Sequence, residues 1–169
     1  MRVPAGIYAL AVLAQFAVGA FAFGTAYAAV LWWFRLPASL LVCGAIGAVH
    51  GTVVGLVLPV ISKFDPGVRS GRMPKPGLFA RNFGLLAPPG LVLAHIVYGL
   101  IYGMTYAGGR GSFVIGSAWV AGLLGTVGIT ALALAGQALG LAAVGTLDFL
   151  AASLDAVLRP SAGTNGAPS

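Results

Sequence analysis

Residues 38–61, ASLLVCGAIGAVHGTVVGLVLPVI, contain no aspartate, glutamate, lysine or arginine. A helix needs about 20 mostly apolar residues to cross the roughly 30 Å of hydrocarbon in a bilayer. This stretch meets that length and composition, so it predicts a transmembrane helix. It also decides the class of fold, because a chain that spans a membrane must satisfy its backbone hydrogen bonds in helices or in a closed barrel.

Three further segments have the same character: residues 5–33, 86–106 and 113–145. The short connections between the segments contain the glycine, proline or charged residues that end helices. Together the four spans predict an all-α, four-helix transmembrane bundle that occupies residues 1–160 as a single domain.

The C-terminal part of the chain has a different pattern. Residues 146–159 place apolar and polar side chains on opposite faces of a helix, which predicts an amphipathic helical end. Residues 161–169 are mostly small or polar and predict a disordered tail.

The overall composition supports the membrane assignment and excludes other classes of protein. Of the 169 residues, 59% are hydrophobic and 7% are charged, whereas about a quarter of the residues in a soluble domain are charged. The net charge of +6 does not indicate a nucleic-acid partner, because the cations lie between apolar spans and form no basic stripe on a soluble face. The single cysteine, Cys43, excludes an intramolecular disulfide and a multi-cysteine metal site.

The cationic residues indicate the orientation of the spans, because cytoplasmic loops carry an excess of lysine and arginine. Five of the nine cations lie in the connection 63–84, whereas the connections around Arg35 and Arg110 carry one each. We therefore expect both termini on the cytoplasmic side of a bacterial cytoplasmic membrane. A cleaved signal peptide is the alternative for the N-terminus, because residues 26–28 (Ala-Tyr-Ala) imitate a cleavage site, although the apolar run continues beyond them.

The two histidines, His50 and His95, fall near the middle of the second and third predicted spans. Ionisable residues inside a membrane are costly and suggest a function. The structural interpretation is that each neutral imidazole forms hydrogen bonds with a neighbouring helix. Three functional interpretations stay open: one b-type haem with both histidines as axial ligands, a proton or ion path, and recognition of a lipid, a quinone or a partner helix. The sequence specifies no other metal.

The third predicted span has one polar face. The residues on this face are His95, Tyr98, Gly99, Tyr102, Gly103 and Tyr106. A helix face with hydroxyls, an imidazole and small residues belongs against protein. The second span has a ridge of glycines spaced by four residues: Gly47, Gly51 and Gly55. We expect the polar face to pack over this ridge, although the ridge is equally suited to forming a homodimer.

The motif GAVHGTVVG at 47–55, followed by HIVYGLIYG at 95–103, resembles small bacterial four-helix integral membrane proteins of uncharacterised function. In those proteins a mid-span histidine is followed by glycine-spaced residues. The resemblance covers the second and third spans. It implies the four-helix architecture and no particular activity, cofactor or catalytic residue.

The sequence contains no nucleophile elbow, phosphate-binding loop or metalloprotease motif. The stretch GGRG at 108–111 lacks the Gly-Lys-Ser/Thr ending of a phosphate-binding loop. We therefore expect a non-enzymatic integral membrane protein, an accessory or binding subunit of a membrane complex. Its partners would be membrane lipids and other membrane subunits or a second copy of the chain. The alternatives are a haem redox protein and a small oligomeric transporter or channel.

Overall fold

The computed structural model describes residues 5–71, 73–138, 154–155 and 157–158. Within them all regular secondary structure is helical, and four helices are long and apolar enough to cross a membrane. The prediction of an all-α bundle with four spanning helices is thereby confirmed. Apart from four of its residues, the amphipathic end predicted at 146–159 lies outside the described residues, as does the tail at 161–169.

The helices follow the four apolar segments closely. The first span consists of α1 (Ala5–Ala17), a π-helical segment (Val18–Phe23) and α2 (Gly24–Trp33). The second span is α3 (Leu40–Ile61). The connection after it contains the short α4 (Pro66–Arg69) and a 3-10 segment (Leu78–Phe83). The third span is α5 (Ala87–Thr105), and the fourth is α6 (Ile115–Ala138).

Local sequence explains where the helices begin and end. The hydroxyl of Ser39 accepts a hydrogen bond of 3.3 Å from the backbone N–H of Val42, so it caps the start of α3. At the end of the first span, Arg35 takes a positive φ of 51°. The following N–H, of Leu36, then reaches back 2.9 Å to the carbonyl of Leu31. Pro37 comes next, and a proline so soon after a helix end cannot continue the helix.

Glycines allow the second and third spans to approach each other backbone to backbone. A Cβ added to Gly47 would meet the carbonyl oxygen of His95, and one added to Gly99 would meet that of Cys43. Close approach through small residues is the usual way in which membrane helices gain packing contacts. These two spans therefore share the most extensive helix–helix contact among the described residues.

The fourth span connects this pair to the first span. A Cβ on Gly125 would lie 2.7 Å from the ring of Tyr98 on the third span. On another side of the fourth span, a Cβ on Gly122 would lie 2.7 Å from the carbonyl oxygen of Gly19 on the first. Neighbouring helices therefore follow the order second, third, fourth and first.

The outer surface of the bundle is apolar. Large hydrophobic side chains point outward from successive spans: Leu13 is 66% exposed, Leu41 83% and Met104 70%. A surface of this kind is suited to lipid tails or to the helices of other membrane proteins.

Candidate functional site

His50 and His95 lie side by side near the middle of the second and third spans, and both are half-buried. Their ring centroids are 4.6 Å apart and the rings meet edge to face, with 80° between their planes. Gly51, one residue after His50, leaves the space that this contact needs, because a Cβ there would lie 2.9 Å from the Cβ of His95.

The two imidazoles differ in their hydrogen bonding. His95 Nδ1 lies 2.7 Å from the carbonyl oxygen of Leu91, one turn earlier in α5, so this nitrogen carries the proton and donates. His50 Nδ1 lies 3.4 Å from the hydroxyl of Tyr27. His50 Nε2 is buried and has no hydrogen-bond partner among the described residues. His50 therefore has one ring nitrogen, Nε2, without a hydrogen-bond partner among the described residues.

Aromatic side chains from the first span surround His50. The ring of Phe23 lies 4.4 Å from the ring of His50, and that of Tyr27 lies 5.9 Å from it. Tyr27 also contacts Tyr98 and Tyr102, with centroid distances of 5.1 Å in both cases. We call these residues the aromatic–histidine cluster: Phe23, Tyr27, His50, His95, Tyr98 and Tyr102. The first and second spans make fewer direct contacts with each other than the adjacent pairs of spans do. The cluster lies between these two spans.

The hydroxyls of two cluster tyrosines are bound to the backbone of the first span. Tyr98 donates a hydrogen bond of 2.8 Å to the carbonyl of Gly19, and Tyr102 donates one of 2.8 Å to the carbonyl of Gly24. These two carbonyls lie at the beginning and just beyond the end of the π-helical segment. A π-helix shifts the regular backbone hydrogen bonds by one residue. Tyr98 and Tyr102 donate to one carbonyl near each end of the segment in which this shift occurs.

The third tyrosine of the polar face closes one end of the bundle. Tyr106 is buried and its ring stacks on that of Tyr102 at 5.3 Å. Its hydroxyl donates to the carbonyl of Ser112 at 3.4 Å and accepts from the N–H of Val114 at 3.2 Å. Tyr106 thus orders the connection between the third and fourth spans.

The expected packing of the polar face over the glycine ridge needs correction. His95 does lie over Gly47 and Gly51, and Gly99 and Gly103 continue that contact along the third span. The hydroxyls of Tyr98 and Tyr102, however, reach the first span, and the ring of Tyr98 also lies against Gly125 of the fourth. The cause is angular: the glycines lie at one edge of the face and the tyrosines at the other, so each edge meets a different neighbour.

The last glycine of the ridge, Gly55, contacts the connection between the second and third spans. A Cβ on Gly55 would overlap the ring of Phe79, which belongs to the 3-10 segment. Phe79 and Ala80 have positive φ values of 49° and 57°. Such angles are costly for residues other than glycine. In this conformation the ring of Phe79 is placed beside Gly55.

Phe23 and Tyr27 are cluster residues that the sequence pattern did not single out. Both lie on the first span, where large apolar residues face every direction. Gly19 and Gly24 are the only local signal. They are five residues apart, which separates them on a regular α-helix but brings them nearer to one face across a π-helical turn.

The arrangement of the histidines does not fit a bis-histidine haem. Two axial imidazoles bind one iron from opposite faces of the macrocycle, so the macrocycle must lie between the rings. Here the two rings touch, and Gly47 and Gly51 hold the two helix backbones against each other at this level. Separately from haem, the described residues contain no group of three or more histidine, cysteine, aspartate or glutamate side chains able to hold a metal ion.

Comparison of the chain with protein-family models, with curated proteins and with solved structures gives no match.

Proposed function

We propose that this chain is a non-enzymatic integral membrane protein that serves as an accessory or binding subunit of a membrane complex. The observation that carries the proposal is that buried tyrosine hydroxyls form hydrogen bonds between spans. The hydroxyls of Tyr98 and Tyr102 donate to the carbonyls of Gly19 and Gly24, so they connect the third span to the first. They act as structural braces and are not available to a substrate.

A second interhelical bond has the same character. Gln15 on the first span donates a hydrogen bond of 2.8 Å to the hydroxyl of Thr130 on the fourth. General acid–base catalysis needs a proton-transferring group within reach of a substrate, and nucleophilic catalysis needs a nucleophile beside a base. The two histidines instead contact each other, and His50 also contacts the rings of Phe23 and Tyr27. This interior is organised to hold four helices together.

Binding then falls to the outer surface of the bundle. An apolar groove of about 350 Å³ runs between the first and fourth spans; its lining includes Leu13, Phe16, Phe21, Trp119 and Leu123. The ring of Trp119 is fixed by an edge contact with Phe21 at 5.1 Å and by a hydrogen bond from its Nε1 to the hydroxyl of Thr25 at 3.2 Å. A preformed apolar groove between two spans is suited to the side chains of a partner's transmembrane helix.

Photo-crosslinking in the native membrane tests the proposal. A photo-reactive amino acid replaces Phe21 or Leu123 in the groove. The matched controls carry it in place of Leu41 or Val49, which are exposed on the second span. We expect a covalent adduct with one other membrane polypeptide from both groove positions and none from the controls.

Two results would contradict this proposal. Adducts containing only two copies of this chain would indicate a homodimer in place of a mixed complex. The lack of any polypeptide adduct at all four positions would indicate a protein that works alone in the lipid.

The proposal includes a location and an orientation: a bacterial cytoplasmic membrane with both termini on the cytoplasmic side. Its support is the distribution of charge, since the connection between the second and third spans carries five cations: Lys63, Arg69, Arg72, Lys75 and Arg81. The opposite connections carry one each, Arg35 and Arg110. Loops rich in lysine and arginine stay on the cytoplasmic side during insertion.

A further inference from the structure

Arg35 and Arg110 line one cleft at the end of the bundle opposite the connection between the second and third spans. Its volume is about 790 Å³ and its lining includes Trp32, Trp33, Arg35, Arg110 and Gly111. Arg35 follows the first span and Arg110 precedes the fourth, so the packing of these two spans brings the arginines to the same end. The ring of Trp32, in the last turn of the first span, lies 6.4 Å from that of Phe113 in the connection before the fourth span.

Carboxylates are absent from both connections that form the cleft. The sequence contains three acidic residues: Asp65 lies between the second and third spans, and Asp148 and Asp155 follow the fourth. Arg35 and Arg110 therefore bring two positive charges to the cleft without an acidic residue in their own connections. A site with two cations and no local anion of its own favours a negatively charged ligand.

Arg35 stands at a position where the backbone favours glycine. It ends the first span with φ of 51°, the left-handed conformation that glycine usually supplies after a helix. Arg35 N–H reaches back 3.2 Å to the carbonyl of Trp32, so the turn is fixed. An arginine at such a position costs backbone energy that glycine would avoid, which points to a use for its side chain.

The depth of the cleft in the membrane follows from its tryptophans. Trp32 and Trp33 are 45% and 73% exposed, and they end an apolar helix long enough to cross the bilayer. Exposed tryptophans at the end of a span lie at the level of the lipid headgroups. The guanidinium groups beside them are therefore placed at the level where lipid phosphates lie.

We infer that this cleft binds the headgroup of an anionic phospholipid, with Arg35 and Arg110 holding its phosphate. Guanidinium groups match phosphate oxygens in geometry and charge, and they form paired, charge-assisted hydrogen bonds with them. A zwitterionic headgroup is the weaker ligand, because its ammonium group would be repelled by the two arginines. The site is separate from the aromatic–histidine cluster and from the apolar groove, so it does not depend on the proposed function.

Native mass spectrometry of the full-length protein in detergent tests the inference. The protein is titrated with phosphatidylglycerol or with phosphatidylcholine that carries the same acyl chains. We expect one phosphatidylglycerol to be retained in preference to phosphatidylcholine. In the double variant Arg35→Gly/Arg110→Gln its affinity should fall roughly tenfold or more, as the loss of charge-assisted hydrogen bonds implies.

The controls separate this site from general charge attraction and from misfolding. The double variant Lys63→Gln/Arg81→Gln removes two cations at the other end of the bundle and should retain the lipid. Arg35→Gly alone should weaken lipid binding while keeping the fold, because glycine suits the positive φ at this position. Equal lipid binding by the wild type and the Arg35→Gly/Arg110→Gln variant would overturn the inference. So would an equal loss in the two double variants, or displacement of the lipid by inorganic phosphate at a similar concentration.

Discussion

His50 and His95 meet edge to face with their ring centroids 4.6 Å apart, although they come from different spans. The contact depends on the absence of side chains at Gly47 and Gly51, which lets the two helix backbones touch at this depth. His95 satisfies its Nδ1 within its own helix, at the carbonyl of Leu91. The pair is therefore a packed junction between two spans, set against the aromatic rings of the first.

From this contact between the histidines we expect the purified protein to show no haem absorption in its visible spectrum. We expect the oxidised-minus-reduced spectrum of the purified protein, expressed with haem supplied, to show no b-type α band. The physical reason is that a macrocycle between His50 and His95 would have to separate two backbones that are in contact. An α band that disappears in His50→Ala would contradict this expectation and would require the second and third spans to move apart.

Removing either tyrosine hydrogen bond to the first span should cause a measurable loss of stability. Tyr98→Phe and Tyr102→Phe each remove a hydrogen bond of 2.8 Å to the first span. Interhelical hydrogen bonds in membranes contribute about 0.6 kcal/mol on average and up to about 1.7 kcal/mol. We expect each variant to lower the free energy of unfolding within that range, measured by steric trapping in bicelles.

Thr105→Val provides the matched control for the tyrosine variants. It removes a hydroxyl from the same span, but that hydroxyl bonds at 2.8 Å to the carbonyl of Ile101 within its own helix. The free energy of unfolding should therefore change less than in Tyr98→Phe or Tyr102→Phe. A loss as large as theirs would mean that the interhelical connection is not the source of the effect.

Much of the fold follows from the sequence because one physical requirement dominates it: each span must be apolar and long enough for the bilayer. The common depth of His50 and His95 also follows, since the position of a residue along a span fixes its depth. The direction of the tyrosines does not follow. A helical wheel gives the residues that share a face, but Tyr98 and Tyr102 select the first span as their neighbour.

The π-helical segment was not predictable from local sequence. Val18–Phe23 has no composition that distinguishes it from the α-helical residues on either side. The carbonyl of Gly19 within it and that of Gly24 just after it accept hydrogen bonds from hydroxyls more than seventy residues later in the chain. Such a segment is stabilised by the assembled bundle, so a pattern confined to one span does not reveal it.

Two glycines of the third span predict opposite effects of the same substitution. In Gly99→Ala the new methyl group would meet the carbonyl oxygen of Cys43, so the second and third spans must move apart. Overpacking of this kind costs about 1–3 kcal/mol. Around Gly90, the described residues place no atom within 4 Å of an added Cβ, apart from its chain neighbours and the backbone of its own helix. Gly90→Ala should leave stability unchanged or raise it by up to about 1 kcal/mol, through the helix propensity of alanine.

The two glycine variants can be compared by the same unfolding measurement, because they lie on one helix and introduce one methyl group each. Gly99→Ala is expected to unfold more readily than the wild type. Equal stability of Gly99→Ala and Gly90→Ala would show that the backbones of the second and third spans are not in contact at Cys43.

The proposed orientation of the spans predicts which connections are accessible from outside the cell. The test uses the Cys43→Ala background, which removes a buried thiol and keeps its Cβ. Single cysteines are then introduced by Arg72→Cys and by Arg110→Cys. We expect a membrane-impermeant maleimide to label the Arg110→Cys variant in intact cells and the Arg72→Cys variant only after permeabilisation. The reason is that moving the connection with five cations across the membrane is less favourable than moving one with a single cation. The reverse pattern of labelling would overturn the orientation and would place the Arg35–Arg110 cleft on the cytoplasmic side.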